Sequence, residues 1–398
     1  MSTNRNMLLL LVLVSASIVC ASLLSAWQLY LEPKLSLFDP NKRAENFHHM
    51  GKLFPNKRIR SSATPYSLKE NLRSLDIFYE FKGQYYAMRK LLKKTDTTGI
   101  LVLKNDTIVY EKYFQGNSAL DKNTSWSLAK SFISAVVGIA IADGYIDSVN
   151  DPITKYLPEL AESGYRNVPI KHILQMSSGV KFDENYDDPA SDINNLLPQL
   201  FLYMQPIKKV VLNFPSAYPS GNRFHYISLD TQILGLLIER VTGQSISSYF
   251  QTKLWQPLGA ESDAFWLTDN YNTELTFCGL NATLRDYAKF GLLYLHEGYF
   301  NGKQIIPKVW VKESVHPDRP YLQVGATSEE YGKWGYQYQW WIPTGSNGDY
   351  SAVGVYGQYI YINQKENLVI VKTSSGITKS KDDDEVIALF RAIAKELK

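Results

Sequence analysis

A serine and a lysine three residues apart begin the most apolar helical segment in the second hundred residues. The stretch "SWSLAKSFISAVVGIAIADG", residues 125–144, predicts a helix over 127–143 with Ser127 and Lys130 in its first turn. Residues i and i+3 lie on one helix face, so the ammonium group can reach the hydroxyl. A serine needs a neighbouring base to act as a nucleophile, and burial lowers the pKa of a lysine towards that role. The spacing is compatible with nucleophilic catalysis, and equally with a capping serine beside a solvated lysine.

Two later segments help to decide between a catalytic and a structural role for Ser127 and Lys130. "FHYIS" places Tyr226 and Ser228 just before a predicted helix over 229–242, and a tyrosine near a lysine can share its proton as a general base. "SAVGVYGQYIYI" is glycine-rich at the start of a predicted strand, where a backbone can approach a ligand closely. A free N–H group there could complete an oxyanion hole with the helix N-terminus.

The order of these motifs resembles the serine β-lactamase and penicillin-binding protein superfamily, which carries a Ser-x-x-Lys signature. The resemblance covers roughly residues 95–395. "DGYIDSVNDPITKYLPEL", "IKHILQMSSGV", "LLIERVTGQS" and "GLNATLRDYAKFGLLYL" look like the class C branch and its esterase relatives. "FDENYDDPASD", "YQYQWW" and "GVYGQYIYINQKENLVIVKTSS" are similar to segments of the 6-aminohexanoate-dimer hydrolases, which cleave nylon oligomers.

The resemblance implies roles for five residues of this chain. Ser127 would be the nucleophile, Lys130 its base and Tyr226 the proton shuttle. Ser228 would support the hydrogen bonds of the lysine and the tyrosine. The N–H groups of Ser127 and Val355 would form the oxyanion hole. Four further residues would bind substrate: Tyr186, Trp341, Gly354 and Tyr356.

Three positions depart from the family pattern. The usual Tyr-x-Asn is Tyr226-x-Ser228 here, and the serine can still form hydrogen bonds. Penicillin-recognising enzymes usually carry Lys-Thr-Gly or His-Thr-Gly on the C-terminal strand, where this chain reads Ala352-Val353-Gly354. That lysine binds the substrate carboxylate, so β-lactamase and D-Ala-D-Ala peptidase activities do not follow from the resemblance. The acidic group that holds the amino end of the oligomer in the nylon enzymes falls near Leu197. Nylon-oligomer hydrolysis is therefore a family label here and not a substrate assignment.

Periodicity predicts the elements that position these residues. Segments 77–94, 286–298 and 382–398 have helical spacing, whereas 98–114 and 357–375 read as β-hairpins. We expect an α/β (α+β) fold in which both chain ends build an antiparallel sheet flanked by N- and C-terminal helices, with a mostly helical lobe inserted. The catalytic domain would span 76–398, its α/β part being 76–120 and 290–398 and its lobe 121–289.

The N-terminus predicts export. Residues 7–27 are apolar, and no charge occurs between Arg5 and Glu32. A run of about 20 such residues can span a bilayer, so residues 1–27 are expected to be a membrane anchor or a cleaved signal peptide. Either would place the catalytic domain outside the cytoplasm, on the periplasmic or extracellular side. Residues 28–75 are polar and interrupted by prolines, which is typical of a spacer or a wrapping arm.

Composition excludes several other function classes. A net charge of +3 without a basic stripe gives no reason to expect nucleic acid. Cys20 and Cys278 do not make a disulfide framework, and Cys278 reads as a buried structural thiol. We expect no cofactor and no metal, since no metal-ligand spacing occurs. The sequence thus predicts a serine hydrolase that cleaves a small ester or amide through an acyl-enzyme. The alternatives are a weakly catalytic binding or sensor protein and a D-Ala peptidase or β-lactamase. Oligomeric state stays open.

Overall fold

The computed structural model describes residues 2–26, 32–201, 203–328, 331–345, 348–376 and 380–398. The strands are β1 (Asn56–Ile59), β2 (Lys69–Glu70), β3 (Phe78–Phe81), β4 (Gln84–Ala87), β5 (Thr97–Lys104), β6 (Thr107–Tyr113), β7 (Asn123–Thr124), β8 (Ala264–Leu267), β9 (Leu280–Ala282), β10 (Tyr299–Phe300), β11 (Lys303–Gln304), β12 (Gly335–Gln337), β13 (Trp340–Ile342), β14 (Asp349–Gly354), β15 (Gln358–Asn363) and β16 (Leu368–Ser374). The helices are α1 (Ser2–Ala26), α2 (Glu32–Leu35), α3 (Arg43–His48), α4 (Met50–Leu53), α5 (Met88–Lys94), α6 (Leu128–Ala142), α7 (Ile170–Leu174), α8 (Asp192–Phe201), α9 (Ile207–Val210), α10 (Ser228–Thr242), α11 (Ile246–Phe250), α12 (Leu284–Leu295), α13 (Lys308–Ser314) and α14 (Ser380–Glu396).

An eight-stranded sheet joins the two ends of the domain. Its order is β12-β13-β14-β15-β16-β5-β6-β2, and every neighbouring pair is antiparallel except β2 with β6. The β5–β6 hairpin turns at Asn105 and Asp106, whose φ angles of 49° and 60° suit this tight connection. The predicted fold class and both predicted hairpins are therefore confirmed.

The sheet separates two hydrophobic cores, because alternate residues of a strand point to opposite faces. Ile100 and Val102 of β5 pack with the C-terminal helix α14 and with α5. Leu101 and Leu103 face the other way, towards α6 and α12. Helix α10 ends at Gly243, whose φ of 66° suits a left-handed cap that a side chain would strain. The predicted helices over 127–143, 229–242, 286–298 and 382–398 are all present, with ends shifted by a few residues.

One predicted helix is wrong over most of its length. Residues 77–94 form the β3–β4 hairpin followed by the short helix α5, rather than one helix. Lys82 and Gly83 both have positive φ, which builds a two-residue hairpin turn and ends any helical run. A second sheet, of order β1-β8-β9-β7, was also not predicted, since its strands are only two to four residues long.

The chain before the sheet is folded against the domain from residue 32 onwards. Strand β1 pairs with β8, from Asn56 opposite Leu267 to Ile59 opposite Ala264. Strand β2 pairs with β6, and just beyond it the Asn71 and Arg73 N–H groups donate to β6 carbonyls. We call residues 32–54 the N-terminal arm. Its Phe47 and Met50 are buried in the core that contains α6 and α12. Of the predicted spacer, residues 28–31 lie outside the described residues.

The first described segment, α1, is helical over Ser2–Ala26. Among the described residues, no helix has the length and apolar character needed to cross a membrane. The predicted membrane anchor over residues 7–27 therefore has no support from the structure, and its last residue, Trp27, lies outside the described part.

Candidate active site

The predicted nucleophile lies where a deeply buried helix begins. Ser127 directly precedes α6, in which all residues from Leu128 to Ala140 are buried. Trp126, just before it, has a φ of 45°, a conformation that is uncommon for a bulky residue and that often accompanies functional sites. The buried helix holds its first turn still, so the serine hydroxyl is presented at the cleft by a rigid element.

Lys130 is buried to 2% exposure, and its ammonium group has three hydrogen-bond acceptors. It donates to Ser127 Oγ at 3.0 Å, to Ser228 Oγ at 3.2 Å and to the Phe277 carbonyl oxygen at 3.0 Å. Burial lowers the pKa of Lys130 to about 8, while the charge of Glu184 acts in the opposite direction. An amine with this pKa is about one-tenth uncharged at pH 7, which makes it a usable base beside the serine.

Glu184 is a site residue that sequence reasoning missed. Its carboxylate accepts hydrogen bonds from the Ser228 N–H at 2.7 Å and from Ser228 Oγ at 2.5 Å. A third hydrogen bond comes from the Tyr186 hydroxyl at 2.9 Å. Burial raises the pKa of Glu184, although Lys130 and the hydrogen bonds from Ser228 act against that rise. Ser228 thus links Lys130 to a buried carboxylate that lies 44 residues before the serine in the chain. No local spacing indicates this contact.

Tyr226 lies beside the lysine and the serine. The Lys130 ammonium nitrogen is 5.1 Å from the centre of its ring, and Tyr226 lines the same cleft as Ser127. Burial, aided by the charge of Glu184, holds the pKa of Tyr226 well above its usual value. The phenol is therefore neutral at physiological pH, so it can pass a proton on but is not a standing base.

The end of β14 reaches the start of α6. A Cβ atom on Gly354 would lie 2.6 Å from the Ser125 carbonyl oxygen and 3.1 Å from the Ser127 nitrogen. Only glycine allows this approach, and the next residue, Val355, consequently lies beside Ser127. In the described part of the chain, neither the Ser127 N–H nor the Val355 N–H donates to another backbone group. Both donors are thus available to a ligand oxygen.

Two cavities meet at Ser127. The larger has a volume of about 460 Å³ and is lined by the N-terminal arm, by α8 and by residues around Ser127, Phe277 and Tyr356. The smaller has a volume of about 160 Å³ and is lined by Tyr226, Glu184 and a group of aromatic side chains that includes Trp341. Tyr186 and Val355 border both.

The structure brings all the sequence-predicted site residues together at this point. Lys130 donates hydrogen bonds to Ser127 and Ser228 and lies over the Tyr226 ring, and Val355 lines both cavities together with Ser127. The four predicted substrate-binding residues all line a cavity: Tyr186, Trp341, Gly354 and Tyr356. Cys278 borders the larger cavity as a buried thiol whose pKa burial raises to about 12, so it is not a nucleophile at neutral pH.

Several lining residues were not predicted. The N-terminal arm contributes Phe38 and Phe54, and α8 contributes Ile193 and Phe201. Asp383, from the start of α14, borders the smaller cavity. The apolar spacing along α8 was a usable signal for a helix, but nothing in it indicated which residues would face a ligand.

Comparison with known proteins places the chain among hydrolases of one fold. The Beta-lactamase family model matches residues 87–394. A 6-aminohexanoate-dimer hydrolase of Paenarthrobacter ureafaciens is 28% identical over 337 residues, which are 83% of this chain and 84% of that protein. A solved structure of a proposed 6-aminohexanoate-dimer hydrolase from Bacillus anthracis is 27% identical, with a TM-score of 0.82 over 91% of this chain and 96% of that one.

A penicillin-binding protein from Bacillus halodurans shares the fold at 18% identity, with a TM-score of 0.59 over 77% of this chain and 98% of that one. The family model covers well over half of the residues, and it includes the whole of α6 and β14. The chain therefore belongs to the β-lactamase family and is a hydrolase with the serine β-lactamase fold.

Proposed function

We propose that this protein hydrolyses an ester or amide bond through an acyl-enzyme formed on Ser127. The observation that carries the proposal is the buried ammonium of Lys130, 3.0 Å from Ser127 Oγ, whose pKa burial lowers to about 8. Burial of a charged ammonium is costly even where it has hydrogen-bond acceptors, so packing alone gives no reason for a lysine at this position. The role of Lys130 as a base for the Ser127 hydroxyl gives a chemical reason for its burial.

Acylation would begin when the uncharged Lys130 amine takes the proton of Ser127 as the hydroxyl oxygen attacks the substrate carbonyl. The oxygen of the tetrahedral intermediate would accept hydrogen bonds from the N–H groups of Ser127 and Val355. Each such donor contributes about 3–4 kcal/mol to the stability of the transition state in comparable sites. The close approach at Gly354 supports this arrangement, since it brings the residue before Val355 against the Ser127 nitrogen.

Departure of the leaving group requires a proton. Neutral Tyr226 would donate its phenolic proton to the leaving oxygen or nitrogen and regain one from the Lys130 ammonium. The position of Tyr226 in the same cavity as Ser127, with the Lys130 ammonium nitrogen 5.1 Å from the centre of its ring, supports this relay. Water would then attack the acyl-enzyme with the same groups acting in reverse, which restores Ser127 and releases the acid.

The smaller cavity favours a leaving group without a carboxylate. Among the described residues that line it, none is lysine or arginine, and Asp383 borders it instead. Burial raises the pKa of Asp383 to about 7, so this group is partly charged near neutral pH. A penicillin or D-Ala-D-Ala carboxylate would meet a carboxyl group here rather than a cation. The absence of Lys-Thr-Gly on β14 points the same way.

A probe experiment tests the nucleophile. Wild type and Ser127→Ala would be treated with a fluorophosphonate probe and followed by intact mass, and their turnover of p-nitrophenyl acetate would be compared. Ser134→Ala is the matched control, since Ser134 lies on the same helix and its buried hydroxyl has no hydrogen-bond partner among the described residues. We expect labelling and turnover to vanish only in Ser127→Ala. Full turnover in that variant would refute the proposed function, and labelling without turnover in wild type would favour the binding or sensor alternative.

We also propose that the domain works outside the cytoplasm, with residues 1–27 acting as an anchor or a cleaved signal. The support is the uncharged sequence between Arg5 and Glu32. Fractionation of cells that express the full chain, with N-terminal sequencing of the product, tests this. Recovery of the unprocessed chain in the cytoplasmic fraction would overturn it.

A further inference from the structure

The larger cavity is apolar along almost its whole length. Three of the side chains that the arm contributes are Leu35, Leu37 and Phe38, and α8 contributes Ile193, Leu196 and Leu197. Among the described lining residues none is aspartate or glutamate, and Lys34 of the arm is the one that carries a charge. A volume of about 460 Å³ lies within the range of sites that enclose small organic ligands.

Its position relative to the relay decides which part of a substrate it would hold. Tyr226, the proposed donor to the leaving group, lines the smaller cavity and not the larger one. Ser127 and Val355 border both, so the reacting carbonyl would lie at their junction. With the leaving group on the Tyr226 side, the acyl chain must extend into the larger cavity.

The arm is fixed to the residues on both sides of the reacting centre. The Phe47 ring lies 5.2 Å from the ring of Trp126 and 5.1 Å from that of Tyr356, centre to centre. Phe38 lies 5.9 Å and 5.8 Å from the same two rings, and the Arg43 guanidinium lies 5.2 Å from the Tyr356 ring. Trp126 precedes the nucleophile and Tyr356 follows Val355. The arm therefore lines the cavity and also packs against the residues next to Ser127 and Val355.

Resting on the proposed function, we infer that the N-terminal arm completes an acyl-chain subsite, and that the substrates are esters or amides of medium-length aliphatic acids whose chain ends carry no positive charge. A chain end that carries an ammonium group would be buried there without a carboxylate partner, at a large cost. An alkyl chain would gain affinity with each methylene it buries, by about fourfold, until the cavity is filled.

Chain length and charge are tested separately with p-nitrophenyl esters. For wild type we expect kcat/KM to rise from acetate to octanoate by at least about a hundredfold. The heptanoate and 6-aminohexanoate esters form a matched pair, since only a terminal methyl is exchanged for an ammonium group. We expect heptanoate to be preferred at least tenfold. A flat chain-length profile, or preference for the aminohexanoate ester, would overturn the inference.

Two variants connect these preferences to the two walls. Phe38→Ala opens the arm side and should lower the ratio of kcat/KM for octanoate over acetate about tenfold. Leu197→Asp puts a carboxylate on the α8 side and should reduce or reverse the preference for heptanoate over 6-aminohexanoate. Leu120→Asp is the control for added charge, because Leu120 is 81% exposed and lines neither cavity. Unchanged ratios in both wall variants would refute the role of these walls.

The outcomes separate this inference from the proposed function. Fluorophosphonate labelling of Ser127 in each variant reports whether the reacting centre is intact. Loss of labelling and turnover in Ser127→Ala alongside a flat chain-length profile would leave the function standing and remove the subsite. Chain-length-dependent turnover that persists in Ser127→Ala would remove the function, and the subsite proposal with it.

Discussion

Replacing Glu184 by glutamine should separate the charge of this residue from its shape. Glu184 touches Lys130 only through Ser228, so it is a positioning residue whose carboxylate also raises the pKa of the lysine. The two hydrogen bonds through Ser228 Oγ, 3.2 and 2.5 Å long, keep the ammonium nitrogen and the carboxylate oxygen within about 6 Å. At an effective dielectric constant of about 20, two unit charges at that distance interact by about 3 kcal/mol, or about two pKa units.

The sign of the effect follows from the protonation state that catalysis needs. Lys130 must be uncharged to accept the serine proton, so kcat/KM should rise with pH and reach half its plateau near pH 8 in wild type. In Glu184→Gln the lysine loses the charge that raises its pKa, and the midpoint should move down by about one to two pH units. The plateau itself should fall about ten- to a hundredfold, because the glutamine has one oxygen for the two Ser228 donors and a small displacement of Lys130 is costly.

The assay is kcat/KM for p-nitrophenyl acetate between pH 5.5 and 9.5, extrapolated to zero buffer and corrected for uncatalysed hydrolysis. Asp183→Asn is the matched control, since this neighbouring carboxylate is exposed and its side chain contacts only its own loop. A midpoint that stays in place or moves up in Glu184→Gln, with the thermal transition unchanged, would refute the coupling between Glu184 and Lys130.

Two further substitutions test the base and the close backbone approach. Lys130→Met should lower kcat by at least about a thousandfold, because no base remains beside Ser127, and should lower thermal stability, because the buried Glu184 carboxylate loses its cation; activity near the wild-type level would rule the lysine out as the base. Gly354→Ala should lower kcat more than tenfold with little change in KM, because the new Cβ would lie 2.6 Å from the Ser125 carbonyl oxygen and push Val355 away from Ser127. Gly116→Ala is the control, since Gly116 lies in an exposed turn and no atom is within 4 Å of the added Cβ. Equal loss of kcat in the two variants would contradict a role for the close approach at Gly354.

The parts of the fold that could be predicted are those with a local signal. The Asn105-Asp106 turn and the apolar face of α6 are specified by neighbouring residues, so pattern reasoning located both. The β3–β4 hairpin was misassigned because its aromatic residues fit a period of 3.6 almost as well as a period of two. The two-residue strand β7 has too little sequence to carry any period.

The residues of the candidate site likewise divide into those with a local sequence signal and those without one. Ser127 and Lys130 are three residues apart and could be singled out from their spacing, and Tyr226 followed from the order of motifs. Glu184 reaches the lysine through a serine 44 residues further along the chain, which only the folded structure reveals. Phe38 joins the cavity across almost ninety residues of chain, through packing that no motif encodes.

The short pairing of residues 69–73 with β6 has a consequence for how the protein behaves in solution. Strand β6 would otherwise be the outermost strand on this side of the eight-stranded sheet, with unpaired N–H and C=O groups along seven residues. Open edges of this kind recruit strands from other molecules. Here β2 and the N–H groups of Asn71 and Arg73 occupy that edge, and β2 runs parallel to its neighbour. By pairing with β6, residues 69–73 thus protect the edge of the sheet from pairing with strands of other molecules.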